Sequence, residues 1–426
     1  MGNTPTTQKS FLYFFPPVLL IAIASLINYV DRGNLSIAAS TLQTELHITT
    51  GNLGFLLAAF FYTYTAFIFI SGWLVDRFSA NWIFVIGFAL WSCATAATGL
   101  VHGFIMLLAM RLLLGAGESV IFPCSCKVIA SFVPERFRGI SNGLMTAGMK
   151  SGPAVGALGT GLLMAKYGWR LVFIGIGLIS LLWVPAWIWT TSRRVSLAQR
   201  DKTASVSAFE ILCQRCFWSP TAGHFCSNYV MYFMVTWLPF YLQRERGLSL
   251  REMTFVAATF YACDSLGALS TGCITDILVR SGHSQPRVRK FSMALGGVLA
   301  AIMLVGCALA GPRTYFYWLI ALGLSTGTNG WGPLAFAQTF AGPRVAGKWA
   351  GLQNGFANFS GMFSPLITGF LVQWTGRFSA PLVVAALIAI IGALSWTSVA
   401  ESSGEIISRQ YYRAAQETAP PSTESN

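Results

Sequence analysis

The chain has 426 residues, of which 54% are hydrophobic and 10% charged, with a formal net charge of +13. Soluble domains carry about 25% charged residues, so the composition excludes a soluble globular enzyme and implies a membrane protein of many spans. In a soluble chain such a basic balance would point to nucleic acid; here the bases gather in loops between apolar runs, where lipid headgroups and topology account for them.

The first apolar run follows Lys9 and is too long for the core of a signal peptide. It passes without a cleavage site into polar residues, so it reads as a span. Spans are expected at 13–40, 52–75, 80–100, 104–131, 139–164, 168–190, 218–243, 251–277, 290–310, 314–341, 345–373 and 378–399. The longest polar connection, 192–217, carries Arg193, Arg194, Arg200 and Lys202. It separates a six-helix half at 1–191 from a second at 218–400, with a polar tail at 401–426. Placing both termini in the cytoplasm puts most Lys and Arg on the inside, and the reverse orientation breaks the positive-inside rule.

Most of the nine cysteines lie in apolar segments and read as small packing residues. Cys213-x-x-Cys216 has metal-like spacing, but no second pair follows it, so no metal or other cofactor is expected. Gly323-Leu-Ser325-Thr-Gly327 matches a nucleophile elbow letter by letter. That elbow needs a strand before it, and apolar helix lies on both sides here, so small residues that let helices slide past one another are the better account.

The informative residues are charges inside spans: Asp31, Arg32, Arg111, Glu118 and Lys150. A charge near a helix centre costs about 2.5–3.5 kcal/mol on the insertion scale. Five facing lipid unpaired would cost on the order of 12–18 kcal/mol, more than a typical protein's stability. They must face the interior and partner one another or a ligand. Arg111 and Glu118 are two turns apart on one face, Tyr29 and Arg32 also share a face, and Asp31 is turned about 100° from Arg32. Burial favours a neutral carboxyl and a neighbouring guanidinium favours an ionised one, so an acid between the two can exchange a proton near neutral pH. In this reading ionised Asp31 competes for Arg32, and protonated Asp31 frees it to bind a substrate carboxylate. The bland alternatives are structural pairs, Asp31–Arg32 and Arg111–Glu118, with Arg111 fastening helix four to helix one.

The halves echo one another: Gly72-Trp-Leu-Val-Asp76-Arg77 follows span two and Gly272-Cys-Ile-Thr-Asp276-Ile277 follows span eight. The first resembles the cytoplasmic loop motif of the major facilitator transporters, in a degenerate copy with Ser79 and Asn81 where a glycine and a base are usual. Arg111-Leu-Leu-Leu-Gly-Ala-Gly117 and Gly152-Pro-Ala-Val-Gly156 resemble that superfamily's motifs in helices four and five. The likeness implies an all-α integral membrane fold of twelve helices in two six-helix halves around a central cavity. It also gives Arg111, Asp76, Arg77 and Asp276 structural or gating roles.

Asn28-Tyr-Val-Asp-Arg-Gly-Asn-Leu-Ser36 with Gly115-Ala-Gly-Glu-Ser-Val-Ile-Phe-Pro123 is similar to the anion:cation symporter family within that superfamily. The resemblance implies proton coupling at Asp31 and Glu118 and an anion-binding Arg32. It implies a cavity lined by Tyr29, Tyr64, Trp331, Asn354 and Asn358, with Tyr232 of helix seven a further candidate. Where family members often carry a glutamine in helix five, this chain has Met149 and Lys150. Lys150 reads either as a second substrate-facing cation or as a snorkelling or acid-paired lysine. Asp264 reads either as a cavity group or as the partner of a helix-seven residue. The expected activity is proton-driven import of a small organic anion, a sugar acid such as a hexonate, hexuronate or aldarate, by a monomer in a bacterial inner membrane. It needs no cofactor beyond the coupling proton and no nucleic acid. The alternatives are an organic-anion exchanger, which the Gly152-Pro153 motif suggests, and a membrane hydrolase or non-transporting sensor.

Overall fold

The computed structural model describes residues 11–192, 207–330, 332–333 and 348–399. Arg193, Arg194, Arg200, Lys202, Trp331, the tail 401–426 and the side chain of Asp76 lie outside the described residues. Among the described residues every regular element is a helix. In chain order these are α1 (Phe11–Glu45), α2 (Thr50–Arg77), α3 (Ala80–Thr98), α4 (Phe104–Glu118), α5 (Ile121–Phe132), α6 (Glu135–Tyr167), α7 (Trp169–Ser180) and α8 (Trp183–Ser192). Then follow α9 (Ala208–Leu212), α10 (Arg215–Arg244), α11 (Leu250–Arg280), α12 (Gln285–Leu309) and α13 (Tyr315–Gly330). The last are α14 (348–358), α15 (Ser360–Thr375) and α16 (Ser379–Thr397). Nine segments, several of them built from two consecutive helices, are long and apolar enough to cross a membrane. With α6, α10 and α13 they make up an all-α fold of twelve membrane helices.

Spans four and six, each expected as one helix, are each broken in two, and the sequence shows why. Proline has no N–H and its ring clashes with the carbonyl four residues back. Pro123 projects that defect onto Ser119, where α4 gives way to α5, and Pro185 projects it onto Leu181, where α7 gives way to α8. The Ser119 hydroxyl donates to Ala116 O at 2.7 Å and lies 3.0 Å from the Ser71 hydroxyl, which tethers the first break to α2. Glu118 is therefore the last helical residue before a break.

Helix starts are set by side chains. Thr49 accepts from Asn52 N ahead of α2, and Ser249 with Glu252 forms a full capping box ahead of α11. Gly168, at φ 77°, turns the chain from α6 into α7 in a backbone region that side chains disfavour.

α1 packs on α6, α2 and α3 on α4, and α3 on α7; later in the chain α10 packs on α15 and α16, α11 on α13, and α12 on α13 and α16. Three further contacts join the two sets: α2 to α15, α6 to α11, and α1 to α10. Glycine permits the closest of them. A Cβ on Gly54 would meet Pro365 O at 2.7 Å and Gly369 Cα at 2.9 Å, and one on Gly161 would strike the Thr254 side chain. Gly51 N donates to Gln373 Oε1 at 2.8 Å and the Ser36 hydroxyl to Val235 O at 2.7 Å. These contacts shut one end of the molecule. Along α6 the exposure rises away from them, from buried Gly161 to exposed Thr146 and Asn142, so the central cavity opens at the opposite end.

Candidate functional site

The cavity between the two sets of helices has a volume of about 420 Å³, within the range of small-molecule sites. Its floor is built around Arg32. The Arg32 Nε donates to Glu118 Oε2 at 3.1 Å, joining α1 to the end of α4, and the two side chains are 4% and 0% exposed. The guanidinium carbon lies 4.8 Å from the ring centre of Tyr29, 4.4 Å from Tyr64 and 5.2 Å from Phe60. Three aromatic faces and one carboxylate thus hold a buried cation in place. A guanidinium offers five N–H donors, and Glu118 takes one of them, while Arg32, Tyr29 and Tyr64 all line the cavity.

This corrects the expectation that Asp31 competes for Arg32. Arg32 is held by Glu118 and not by Asp31, because adjacent helical residues point about 100° apart. Asp31 is buried behind the cavity wall, where its Oδ1 accepts from Asn34 Nδ2 at 3.1 Å. The Asn34 Oδ1 in turn accepts from the Thr160 hydroxyl of α6 at 2.7 Å. Arg111 shares a helix face with Glu118 but forms no salt bridge with it. Its guanidinium packs 5.1 Å from the Phe60 ring centre, and its Nε has no acceptor among the described residues. Asp31 Oδ2 and Glu118 Oε1 are likewise buried without a well-formed hydrogen bond among the described residues, with Thr95 beside the first carboxyl and Asn28 beside the second. Each acid therefore has one oxygen bound within the protein and one open.

On the opposite wall, Lys150 Nζ of α6 lies 3.2 Å from Asp264 Oδ2 of α11, with the two side chains 27% and 18% exposed. Asp264 Oδ1 accepts from the Thr326 hydroxyl at 2.9 Å. Asp264 is thus a cavity group whose partner is Lys150 of helix five, and not a residue of helix seven. Lys150 is acid-paired, as one reading of it had it, and it also lines the cavity.

The remaining wall is uncharged and mixes polar groups with apolar side chains such as Met149, Met231 and Phe260. The Tyr232 hydroxyl donates to Asn358 Oδ1, and Asn358 Nδ2 donates to Asn354 O at 2.7 Å. Tyr232, Asn354 and Asn358 line the cavity, and Trp331 lies outside the described residues. Asn28, Asn142, Asn228 and His224 also line it and escaped the sequence reading. Asn28 had a signal, an amide at the edge of an apolar run, and so did His224, an imidazole inside span seven. It is buried with Gln353 Nε2 at 3.5 Å from its Nδ1, and no group of metal-ligating residues occurs among the described residues.

Arg77 and Asp276 of the two loop motifs lie away from the cavity, while Pro153 of the helix-five motif lines it. Arg77 ends α2 with its guanidinium 4.5 Å from the Trp73 ring centre, and Asp276 is exposed on α11, where its charge acts on Arg289. The Gly152-Pro153 motif serves packing: Cβ atoms on Gly148, Gly152 and Gly156 would strike Ala22, Tyr29 and Val30 of α1. Ser325 bonds Ala321 O inside α13, as a helix-packing serine does.

The profile of the Major Facilitator Superfamily matches residues 21–361. The chain is 28% identical to the probable galactarate/D-glucarate transporter GudP of Bacillus subtilis (strain 168), over 92% of this chain and 93% of that one. It is 29% identical to the probable L-galactonate transporter of Escherichia coli (strain K12), over 89% of this chain and 87% of the other. Among solved structures, a bacterial homolog of the human lysosomal transporter Spinster, inward-facing and unoccupied, superimposes with a TM-score of 0.73 at 16% identity. That alignment covers 95% of this chain and 99% of the other.

Proposed function

The chain belongs to the Major Facilitator Superfamily, and from that premise we propose that it is a proton-coupled symporter importing a small organic anion, a sugar acid of the hexonate, hexuronate or aldarate kind. The observation that carries this reading is the buried Arg32–Glu118 pair on the cavity floor. While Glu118 is ionised it holds Arg32. A proton on the open Oε1 removes that charge and leaves the guanidinium to a substrate carboxylate, which it can engage bidentately. Proton and anion then load together, and either one alone leaves a buried charge without a counter-charge. Asp31 is the second proton site, through its open Oδ2. The carboxamides of Asn354, Asn358 and Asn28 and the phenols of Tyr29 and Tyr232 suit a polyhydroxylated chain.

With both termini in the cytoplasm, as the distribution of Lys and Arg favours, the shut end faces the periplasm and the cavity is open inward. Alternating access is then rocking of the helices up to 192 against those from 207 on, about the glycine contacts that join α2 to α15 and α6 to α11. Two protons with a monovalent anion move one net positive charge inward, and the membrane potential adds about 2.3 kcal/mol per 100 mV. The test is uptake by purified protein in vesicles under an imposed inward proton gradient, with charge moved per substrate recorded. Accumulation above equilibrium supports symport. Uptake that requires counter-anion inside, and ignores the gradient, identifies an exchanger.

A further inference from the structure

We infer that Lys150 is a second anion-binding pole in the cavity, one that reads a second acidic group on the cargo, and that Asp264 is the protein's own stand-in for that group. The inference rests on the reading of the cavity as an organic-anion site and narrows its substrate class to diacids. The two ion pairs in the cavity differ in one decisive respect. Arg32–Glu118 is almost wholly buried, whereas the Lys150 and Asp264 side chains are 27% and 18% exposed to the cavity. A partly solvated lysine gains little from one carboxylate over another, so an incoming carboxylate can replace Asp264 at small cost.

The surroundings of the pair fit such an exchange. Asp264 is not stranded when Lys150 leaves, because its Oδ1 keeps the Thr326 hydroxyl at 2.9 Å. The main chain at Lys150 is anchored separately: its carbonyl accepts from the Ser265 hydroxyl of α11 at 2.8 Å. Only the four-carbon stem needs to swing, and lysine's stem is flexible. The pair is not needed to join α6 to α11, since the Gly161–Thr254 approach and the Ser265 bond already do so. Arg32 on α1 and Lys150 on α6 open into one cavity from two helices that pack directly on each other. A monoacid occupies one of these cations. A six-carbon diacid has a carboxylate for each.

The test is a matched pair of acids, D-galactonate and galactarate, which share the polyol chain and differ at one end in CH2OH against a carboxylate. Binding to the purified full-length protein is measured by calorimetry, and the readout is the ratio of the two affinities. The wild type is expected to favour the diacid by about tenfold, the worth of one charge-assisted hydrogen bond. Lys150→Met should bring the ratio close to one. Asp264→Asn, which leaves Lys150 without its internal carboxylate, should raise the ratio above that of the wild type. A wild-type ratio near one, an equal loss for both acids in Lys150→Met, or a lower ratio in Asp264→Asn overturns the inference. Each of these leaves the organic-anion reading standing. Absence of binding by either acid to the wild type overturns both.

Discussion

Glu118→Gln is the sharpest perturbation of the proposed coupling. The glutamine keeps the shape of the side chain and an oxygen that accepts from Arg32 Nε, at the site of the present 3.1 Å contact. What it loses is the charge. A hydrogen bond to a charged group contributes about 1.5–3 kcal/mol net and a neutral one about 0.5–1.5, so the hold on Arg32 weakens by roughly 1–1.5 kcal/mol. That difference passes to the substrate, which no longer has to displace a carboxylate, so its affinity should tighten about 5- to 10-fold and lose its dependence on pH. The variant also buries Arg32 without a counter-charge, so it should melt earlier than the wild type and be stabilised more by substrate. In vesicles, counterflow of labelled substrate should persist, while accumulation driven by a proton gradient should fall to equilibrium. Accumulation that survives in the variant, or substrate affinity that weakens tenfold, refutes the assignment of Glu118 as the group that releases Arg32.

Asp31→Asn should also abolish accumulation while sparing counterflow, but with substrate affinity within about twofold of wild type, since Asp31 touches Asn34 and not Arg32. Equal tightening in both variants would show that Asp31, too, governs Arg32. Gly54→Ala forces a methyl against Pro365 O and Gly369 Cα, an overpacking cost of about 1–3 kcal/mol borne only while this end is shut. The population should move to the opposite state, so maleimide labelling of the cavity-lining Cys126, followed by mass spectrometry, should slow; an unchanged rate would show that the contact yields without opening. Tyr232→Phe removes the donor to Asn358 and should weaken substrate binding about 5- to 10-fold in titrations, with gradient-driven coupling intact. Glu45→Gln breaks the 2.7 Å pair with Arg170, whose side chains are 41% and 33% exposed, so denaturation should register a change of about 1 kcal/mol or less. Lost uptake in that variant would mean that this pair gates.

The sequence revealed which residues are buried more readily than which residues meet. Charge inside an apolar run is costly enough that Asp31, Arg32, Arg111, Glu118 and Lys150 had to point inward, and all five do, with Lys150 only partly buried. Spacing along one helix fixes directions about that helix alone. It placed Arg111 and Glu118 on one face correctly, yet could not show that Arg32 of α1 would reach Glu118 first. Nor could it show that Lys150 would find Asp264, which is 114 residues away in the chain. The breaks at Ser119 and Leu181 were legible, since Pro123 and Pro185 each stand four residues on, but a long apolar run masked them. His224 stands out in the sequence as an imidazole inside span seven, but nothing along one helix shows that it opens onto the cavity.

The seam of Gly148, Gly152 and Gly156 against α1 has a consequence for how cargo is chosen. The three glycines bring α6 against the main chain and Cβ atoms of Ala22, Tyr29 and Val30, so α1 and α6 are packed closely enough to move together. The interval between the Arg32 and Lys150 anchor points is then a fixed gauge, the same length whichever mouth of the carrier is open. If Lys150 reads a second carboxylate as inferred above, cargo is measured along this interval, and the lysine stem supplies the only slack in it.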